Sequence, residues 1–461
     1  MKNLSPRPPF AAVVLAAGKS TRMRSKRPKS LHPIAGRPLI SHILDALTLA
    51  GAARIVVIVG HAADQVREAL GEGYEYALQA EQKGTGHAAK MAQPLLSDWE
   101  GPIVFVPGDA PLITAEAITA LLDAHGDNAA TLLSIALSDP TGYGRILRED
   151  GVVQAIVEEK DATPEQKGIL EVCCSIYAFQ AGFLFDALDS LTSNNAQGEY
   201  YLTDTVAVAR KKDAPIDALM WPDPQVGLGV NDRVELAEAA HLLNQRILRQ
   251  HMMTGVTIVD PATTRIDANV RIGADTTIHP YTILTGATDI GEDCEIGPGA
   301  RIGDSNIGNG VHVRDSQIVA SEVGDGTTIG PFANIRPGST VGRDVKIGDF
   351  VELKKSTLED GVSAGHFAYL GDATIGSDTN IGAGTIVCNY DGVKKHQTHI
   401  GAKAFIGSNS TLIAPVNIGD GAVVAAGSTI DDDVPADALA IARQRQTNKP
   451  GWAAERRRKS E

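Results

Sequence analysis

The sequence predicts an α/β domain with a mostly parallel sheet, followed by a linker helix and a parallel β-helix. Up to about residue 230, short apolar runs alternate with amphipathic stretches, which is typical of βαβ units. From Arg233 to Met253 the chain has a helical pattern without glycine or proline. After Gly255, aliphatic residues recur every six positions, which neither the 3.6-residue period of an α-helix nor the 3.5-residue period of a coiled coil yields over such a length.

Composition and charge exclude several classes of protein. With 461 residues, of which 43% are hydrophobic and 21% charged, the chain has enough apolar content for two or three globular domains. The formal net charge of -14 argues against nucleic-acid binding. The sequence contains no run of about 18 apolar residues, the length needed to cross a membrane. Residues 1–9 do not resemble a secretory signal, and the four cysteines lack C-x-x-C spacing. We therefore expect a cytoplasmic protein that binds neither nucleic acid nor membranes.

Four apolar runs in the first half predict strands of one sheet. Each run is bounded by Gly, Pro or Asp and is followed by a helical pattern. Because the runs are continuously apolar, we expect both faces of the sheet to be covered. The runs are residues 11–15, 55–59, 103–106 and 129–135.

A helix is predicted from Arg233 to Met253. Asn231 and Asp232 can cap it, and Glu235 lies in its first turn. We expect a first domain of residues 1–233, a linker helix of residues 234–254 and a second domain of residues 255–461, which includes a C-terminal tail. The basic run at residues 456–459 is expected to be a solvated end of that tail.

The period of six predicts a hexapeptide solenoid, in which each short strand buries one aliphatic side chain and a turn follows at each corner. The register is interrupted between Ile347 and Ile375, and again between Val387 and Ile400. Insertions in a solenoid leave it as external loops, which commonly carry function. The aliphatic residues of the repeat are Ile272, Ile278, Leu284, Ile290, Ile296, Ile302, Val323, Ile329, Ile335, Val341, Ile347, Ile400, Ile406, Leu412, Ile418, Val424 and Ile430.

A glycine turn follows the first predicted strand. It does not form a Walker A loop, because that motif needs glycine where this chain has Val13, and no G-x-G-x-x-G is present. Gly18 lies in this turn, with Arg22 and Lys29 nearby, a combination suited to triphosphate oxygens. By itself the pattern is equally consistent with an ordinary βα loop.

The turn also carries a resemblance. L-A-A-G-x-G-T-R-M followed by P-K is the signature of sugar-1-phosphate nucleotidyltransferases, and residues 15–23 match it except at Ser20, where glycine is usual. Together with the solenoid, nearly the whole chain resembles the family of bifunctional N-acetylglucosamine-1-phosphate uridyltransferases and glucosamine-1-phosphate N-acetyltransferases. The resemblance implies a Rossmann-like domain with a mixed, mostly parallel sheet, a left-handed β-helix, and a homotrimer that uses Mg²⁺, UTP and acetyl-CoA. The product that the resemblance implies is UDP-N-acetylglucosamine, which in bacteria feeds peptidoglycan and lipopolysaccharide synthesis.

The resemblance implies roles for residues of the first half. Arg22 and Lys29 would neutralise the triphosphate, and Asp109 and Asn231 would hold Mg²⁺. The family carries Asn-Thr-Gly or Asn-Ser-Gly where this chain has Cys-Cys-Ser at residues 173–175, and the asparagine contacts the sugar. The implied UTP-binding and UDP-sugar-binding residues are Leu15, Ala16, Ala17, Gly18, Lys29, Gln79, Gly84, Thr85, Gly144, Glu158, Cys173 and Asn231.

A second set of roles follows for the solenoid. His366 lies in A-G-H-x-x-Y-L-G-D, which closely matches the family's acetyltransferase domain and implies a general base for the glucosamine amine. Residues 389–399 would reach a neighbouring subunit. The implied sugar-phosphate-binding residues are Arg336, Lys354, Tyr369 and Asn380, and the implied acetyl-CoA-binding residues are Ala383, Asn389, Tyr390, Ser408, Ala426 and Arg443.

Three functional interpretations remain at this point. The favoured one is a two-step enzyme that acetylates glucosamine 1-phosphate and then makes UDP-N-acetylglucosamine. The second is a sugar-1-phosphate nucleotidyltransferase of other specificity whose solenoid serves only assembly, against which His366 argues. The third, motivated by Cys173 and Ser20, is an acetyltransferase or scaffolding trimer whose uridyltransferase half is altered or inactive. The retained Arg22 and Asp109 weigh against the third.

Overall fold

The computed structural model describes residues 8–18 and 21–459, so that Ser20 lies outside the described residues. The chain divides into two compact units, Met1–Leu243 and Asn244–Glu461. Among the described residues, no helix is both long and apolar enough to cross a membrane.

The first unit is built on a sheet that has nine strands within the described residues. The four predicted strands are confirmed, and the sheet is mixed, because Glu171–Gln180 runs antiparallel to both of its neighbours. The strand order is Ile216–Met220, Ala130–Ala136, Glu171–Gln180, Pro102–Pro107, Phe10–Ala16, Ala52–Val59 and Glu75–Leu78, with Gly144–Glu149 and Val152–Val157 as a hairpin paired to Glu171–Gln180. A small hairpin joins Pro33–Ile34 to Arg37–Pro38.

Helices cover both faces of this sheet. On the central strand, Ala12 and Val14 point into one apolar core and Ala11 and Val13 into the other, as the period of two requires. The doubly covered sheet explains why its strands read as continuous apolar runs. The α-helices are Leu39–Leu49, Ala63–Leu70, Thr85–Lys90, Ala115–His125, Pro164–Lys167, Ala181–Asp189 and Thr205–Lys211, and the 3₁₀ turns are Thr21–Met23, Lys29–Leu31, Leu202–Asp204 and Pro224–Gly227.

The helix Arg233–Met253 has the predicted bounds. Asp232 caps it, since its Oδ1 accepts from the backbone N–H groups of Val234 at 2.8 Å and Glu235 at 3.0 Å. Asn231 does not cap in this way, and its side-chain oxygen instead accepts from Lys29 Nζ at 3.0 Å. One of the two predicted capping residues is therefore available for a site.

The second unit is a three-sided parallel β-helix. Its first sheet contains Thr257–Ile258, Thr277–Ile278, Glu295–Ile296, His312–Val313, Thr328–Ile329, Lys346–Asp349, Ser363–His366, Asn380–Ile381, Phe405–Ile406, Val423–Val424 and Leu439–Ala440. The second contains Arg265–Ile266, Ile283–Thr285, Arg301–Gly303, Gln317–Val319, Asn334–Ile335, Glu352–Lys354, Tyr369–Gly371, Ile386–Cys388, Thr411–Ile413 and Thr429–Ile430. The third contains Arg271–Ile272, Asp289–Ile290, Asn306–Ile307, Glu322–Val323, Thr340–Val341, Thr357–Leu358, Ala373–Ile375, Thr398–Ile400 and Val416–Ile418.

The β-helix corrects one prediction about its register. Between Ile347 and Ile375 the ladder continues without an inserted loop, because some sides of the solenoid are five residues long rather than six. The residues that fill this stretch are at most 1% exposed: Leu353, Leu358, Ala364 and Leu370. The other interruption, between Val387 and Ile400, does hold a loop, which Tyr390 and Lys395 close by an antiparallel bridge.

The C-terminal tail ends in the short helix Trp452–Arg458, none of whose residues is buried. The Arg456 guanidinium lies 5.3 Å from the centre of the Trp452 ring. The basic run at residues 456–459 is exposed, as predicted for a solvated end of the tail.

Candidate active sites

A cavity of about 590 Å³ in the first unit brings together seven of the predicted nucleotide-site residues. They are Leu15, Ala17, Gly18, Gln79, Gly84, Thr85 and Asp109. An adjoining pocket adds Ala16 and Lys29. A Cβ on Gly108 would lie 2.8 Å from the Leu15 carbonyl oxygen, so that only glycine lets the two strand ends approach this closely. The site lies at the carboxyl ends of the parallel strands Phe10–Ala16 and Pro102–Pro107, the edge at which such folds bind ligands.

Lys29, Asp109 and Asn231 form the charged cluster of this site. The Lys29 ammonium contacts the Asp109 carboxylate and donates to Asn231 Oδ1 at 3.0 Å. The backbone supports the arrangement, because Val230 N donates to the Asp109 carbonyl at 2.8 Å. The side chains of Lys29 and Asp109 are 18% and 23% exposed, so the cluster is accessible to a ligand. The Asp109 carboxylate and the Asn231 amide oxygen, from distant parts of the chain, thus both contact the Lys29 ammonium.

The predicted UTP-binding residues Gly84 and Thr85 are fixed by contacts with the segment that contains Tyr200. Gln79 is 3% exposed, and its amide nitrogen donates to the Gly84 carbonyl at 3.1 Å. Gly84 has φ +104°, and a Cβ there would lie 2.5 Å from the Tyr200 carbonyl oxygen. Thr85 begins the helix Thr85–Lys90, and its hydroxyl accepts from Leu202 N at 3.0 Å. Sequence reasoning missed His87, whose Nδ1 lies 3.0 Å from Gln79 Nε2.

Gly144 and Glu158, predicted as UDP-sugar-binding residues, lie side by side but are not among the residues that line the 590 Å³ cavity. A Cβ on Gly144 would be 3.5 Å from Glu158 Oε2, and the Thr203 hydroxyl donates to Glu158 Oε1 at 3.1 Å. Burial raises the pKa of Glu158. Arg22 lies exposed in the turn Thr21–Met23.

The Cys-Cys-Ser segment places a different residue in the cavity from the one predicted. Cys173 is 3% exposed, its sulfur lies 3.3 Å from the Tyr177 hydroxyl, and burial raises the pKa of its thiol to about 11. Ser175 lines the cavity instead, with φ +57° at an irregularity of the strand. That left-handed backbone is the conformation glycine adopts without strain, which agrees with the family's glycine at this position.

In the second unit, His366 pairs with Asp349, a residue that sequence reasoning missed. The two are Cα partners on the adjacent strands Lys346–Asp349 and Ser363–His366, and His366 Nδ1 contacts Asp349 Oδ1. The His366 side chain is 65% exposed and that of Asp349 30%. The imidazole hydrogen bond lowers the pKa of Asp349.

Lys354, Tyr369 and Asn389, all predicted, gather around Asp372, which was not. Lys354 Nζ lies 3.2 Å from Asp372 Oδ2, and Asn389 Nδ2 donates to the same oxygen at 2.5 Å. The Tyr369 hydroxyl lies 3.5 Å from Asn389 Nδ2. Interaction with Lys354 lowers the pKa of Lys395, a residue of the external loop. Two ammonium groups beside one carboxylate leave an excess of positive charge that suits a phosphate.

The remaining predicted sugar-phosphate residues lie on neighbouring strands. Arg336 pairs with Glu352 at 2.9 Å, and Glu352 is the Cα partner of Tyr369. Asn380 is the Cα partner of Ser363, on the strand that carries His366. The β-helix therefore places these residues on consecutive coils around His366.

The predicted acetyl-CoA residues include a strip of small side chains on successive coils. Asn409 N donates to the Ala383 carbonyl at 2.7 Å, and Gly427 N donates to the Ser408 carbonyl at 2.8 Å. Ala426 precedes Gly427, and a Cβ on Gly427 would lie 3.8 Å from Arg443 Cδ. The Tyr390 side chain is exposed, and its hydroxyl donates to the Gly392 carbonyl within the loop.

Comparison with protein families agrees with this division of the chain. Residues 12–151 match the MobA-like NTP transferase domain. Residues 269–304 and 320–355 match the bacterial transferase hexapeptide (six repeats), and residues 397–432 match the hexapeptide repeat of succinyl-transferase. The predicted fold class is therefore confirmed, with a Rossmann-like domain followed by a left-handed parallel β-helix.

Curated relatives match over almost the full length. A protein from Geobacillus sp. (strain WCH70) is 51% identical over 444 residues, which cover 96% of this chain and 97% of the relative. One from Heliobacterium modesticaldum is 49% identical over 453 residues, covering 98% and 99%. One from Brevibacillus brevis is 49% identical over 451 residues, covering 97% and 98%. Each relative is named bifunctional protein GlmU, and this chain belongs to the GlmU family.

Proposed function

We propose that this chain makes UDP-N-acetylglucosamine in two steps, with one site in each unit. The β-helix transfers acetyl from acetyl-CoA to glucosamine 1-phosphate, and the α/β unit then transfers uridylyl from UTP to the N-acetylglucosamine 1-phosphate. The observation that carries the proposal is that one chain holds both the Lys29, Asp109 and Asn231 cluster and an exposed imidazole at His366, within a family match over almost its full length.

Acetyl transfer uses His366 as the general base. The neutral amine of glucosamine 1-phosphate attacks the thioester carbonyl carbon, and a C–N bond forms as the C–S bond breaks. The amine proton passes to His366 Nε2 and from there to the departing thiolate, which leaves as coenzyme A. Lys354 and Lys395 bind the phosphate, with Arg336, Tyr369 and Asn380 completing the sugar-phosphate site. The strip of Ala383, Ser408 and Ala426 leaves room for the pantetheine arm, with Asn389, Tyr390 and Arg443 beside it.

Uridylyl transfer needs no protein nucleophile. An oxygen of the sugar phosphate attacks the α-phosphorus of UTP, the bond from that phosphorus to the bridging oxygen breaks, and pyrophosphate leaves. Arg22 and Lys29 neutralise the developing charge, while Gln79, Gly84 and Thr85 hold the base in the cavity. Catalysis in this half therefore depends mainly on positioning the substrates and on neutralising the charge of the phosphates.

Asp109 and Asn231 fit a Mg²⁺ ion. Their oxygens converge on the Lys29 ammonium, so the chain already directs a carboxylate and an amide oxygen at one cation position. Mg²⁺ bound by few protein oxygens takes its other ligands from phosphates and water. When bound, the ion polarises the phosphate oxygens.

We assign residues 1–233 to the uridyltransferase domain, 234–254 to a linker helix and 255–461 to the acetyltransferase domain. A β-helix with flat faces encloses no ligand by itself, and we propose a homotrimer in which the exposed part of the loop at residues 389–399 reaches a neighbouring subunit. The exposed Tyr390 in that loop supports this arrangement. Because UTP and acetyl-CoA are intracellular metabolites, we place the reaction in the cytoplasm.

Two assays on the purified protein test the proposal. Pyrophosphate release from UTP and N-acetylglucosamine 1-phosphate is followed with Mg²⁺ and with chelator, and thiol release from acetyl-CoA is followed on addition of glucosamine 1-phosphate. We expect both activities, and Mg²⁺ dependence of the first alone. Thiol release without pyrophosphate release would support the alternative, an acetyltransferase with an altered uridyltransferase half.

A further inference from the structure

We propose that Asp349 is a positioning residue of the acetyltransferase, which holds His366 in the tautomer and orientation that general-base catalysis needs. The inference rests on the proposed function, because it presupposes that His366 takes the amine proton. It concerns a residue that no repeat position or motif of the sequence singles out.

The contact determines which nitrogen can act as the base. Asp349 Oδ1 contacts His366 Nδ1, and a carboxylate can only accept, so Nδ1 carries the hydrogen. In the neutral ring the lone pair then lies on Nε2, the nitrogen on the far side of the ring from Asp349. A base oriented by a carboxylate on its other nitrogen is the arrangement that hydrolase triads use.

The backbone around the pair is fixed on both coils. Phe367 N donates to the Asp349 carbonyl at 2.9 Å. Gly348 and Gly365, which precede the two residues, pack so closely that a Cβ on Gly348 would lie 1.8 Å from the Gly365 carbonyl oxygen. The next residues, Phe350 and Phe367, stack with ring centroids 4.9 Å apart. Asp349 is therefore attached to a rigid part of the solenoid, whereas the His366 side chain is 65% exposed and depends on a partner for its orientation.

Few other charges lie on the strands packed against His366. On the preceding coil, Lys346 pairs with Ser363, at the opposite end of the strand from His366. On the following coil, Asn380 pairs with Ser363 and carries no charge. Asp349 is the carboxylate in contact with the imidazole.

The test is Asp349→Asn, which keeps the size of the side chain and removes its charge. We expect kcat for thiol release to fall roughly 10- to 100-fold with KM for both substrates nearly unchanged. Pyrophosphate release in the first unit should not change.

Glu295→Gln is the matched control. Glu295 contacts His279 at 2.5 Å, a carboxylate–imidazole pair on earlier coils of the same solenoid, and its loss should leave thiol release unchanged. His366→Ala distinguishes the general-base role of His366 from the positioning role of Asp349. If His366→Ala keeps the wild-type rate, the general-base assignment and this inference both fail. If His366→Ala is inactive while Asp349→Asn keeps the wild-type kcat or changes only KM, the inference alone is overturned.

Discussion

Lys29 Nζ lies 3.0 Å from Asn231 Oδ1, although 202 residues separate the two along the chain. The strand end that carries Asp109 brings them together, because Val230 N donates to the Asp109 carbonyl. The ammonium occupies the point at which the Asp109 and Asn231 oxygens converge. Asp109 and Asn231 would hold a divalent ion at this point, and Lys29 lies beside them, where it could bind a phosphate of the nucleotide.

Asp109→Asn tests this cation site. The substitution removes the carboxylate but keeps its shape, so we expect the rate of pyrophosphate release to fall at least about 100-fold, the effect of losing several kcal/mol of charge stabilisation. The Mg²⁺ concentration at half-maximal rate should rise as well. Thiol release in the second unit serves as the internal control for folding, and a variant with wild-type Mg²⁺ dependence would contradict the assignment.

Lys395→Met tests the phosphate site of the β-helix. Because a charge-assisted hydrogen bond contributes about 1.5–3 kcal/mol, KM for glucosamine 1-phosphate should rise roughly 10- to 100-fold while KM for acetyl-CoA stays the same. Initial rates of thiol release measure both constants. The control is Lys212→Met, an exposed lysine of the first unit. Equal KM values in the two variants would exclude Lys395 from phosphate binding.

Thiol reactivity should distinguish the buried cysteines from the exposed one. Cys173, Cys174 and Cys294 are buried and Cys388 is partly exposed. Burial raises the pKa of each of the three buried thiols, so that little reactive thiolate forms at pH 8. With a chromogenic disulfide reagent, at most one of the four thiols should react rapidly in the native protein, and all four in urea. Rapid modification of Cys173 would show that the Cys-Cys-Ser segment is open to solvent.

His125 should make the stability of the first unit depend on pH. It is fully buried, and burial lowers its pKa from 6.5 to about 4. Between about pH 6.5 and pH 4, His125 therefore binds a proton in the unfolded chain but not in the folded one. The free energy of unfolding should fall as the pH drops from 6.5 towards 4, by at most about 1.4 kcal/mol per pH unit. The urea midpoint, followed by the fluorescence of Trp99 and Trp221, measures this slope.

His125→Gln should flatten that dependence, whatever its effect on absolute stability. His61→Gln is the control, because His61 is exposed and its loss should preserve the wild-type slope. If His125→Gln and the wild type lose stability equally between pH 6.5 and 5, burial of the imidazole is not the cause.

The period of six residues was sufficient to predict the β-helix and its aliphatic ladder, and the apolar runs to predict the central sheet. Sides of five residues were not predictable, because a shorter side still buries one aliphatic residue and only the phase of the pattern changes. The same ambiguity hid Asp349 and Asp372. Each meets its partner one coil away, at a sequence distance that varies with the lengths of the sides between them. In the first unit, a strand irregularity decides that Ser175 rather than Cys173 lines the cavity.

The measurement that tests the two-step function most directly supplies the purified protein with glucosamine 1-phosphate, acetyl-CoA, UTP and Mg²⁺ and identifies the products by mass spectrometry. We predict UDP-N-acetylglucosamine together with free coenzyme A and pyrophosphate. His366→Ala should form the nucleotide sugar only when N-acetylglucosamine 1-phosphate is supplied. If the wild-type protein forms no UDP-N-acetylglucosamine even from N-acetylglucosamine 1-phosphate and UTP, the two-step function is contradicted.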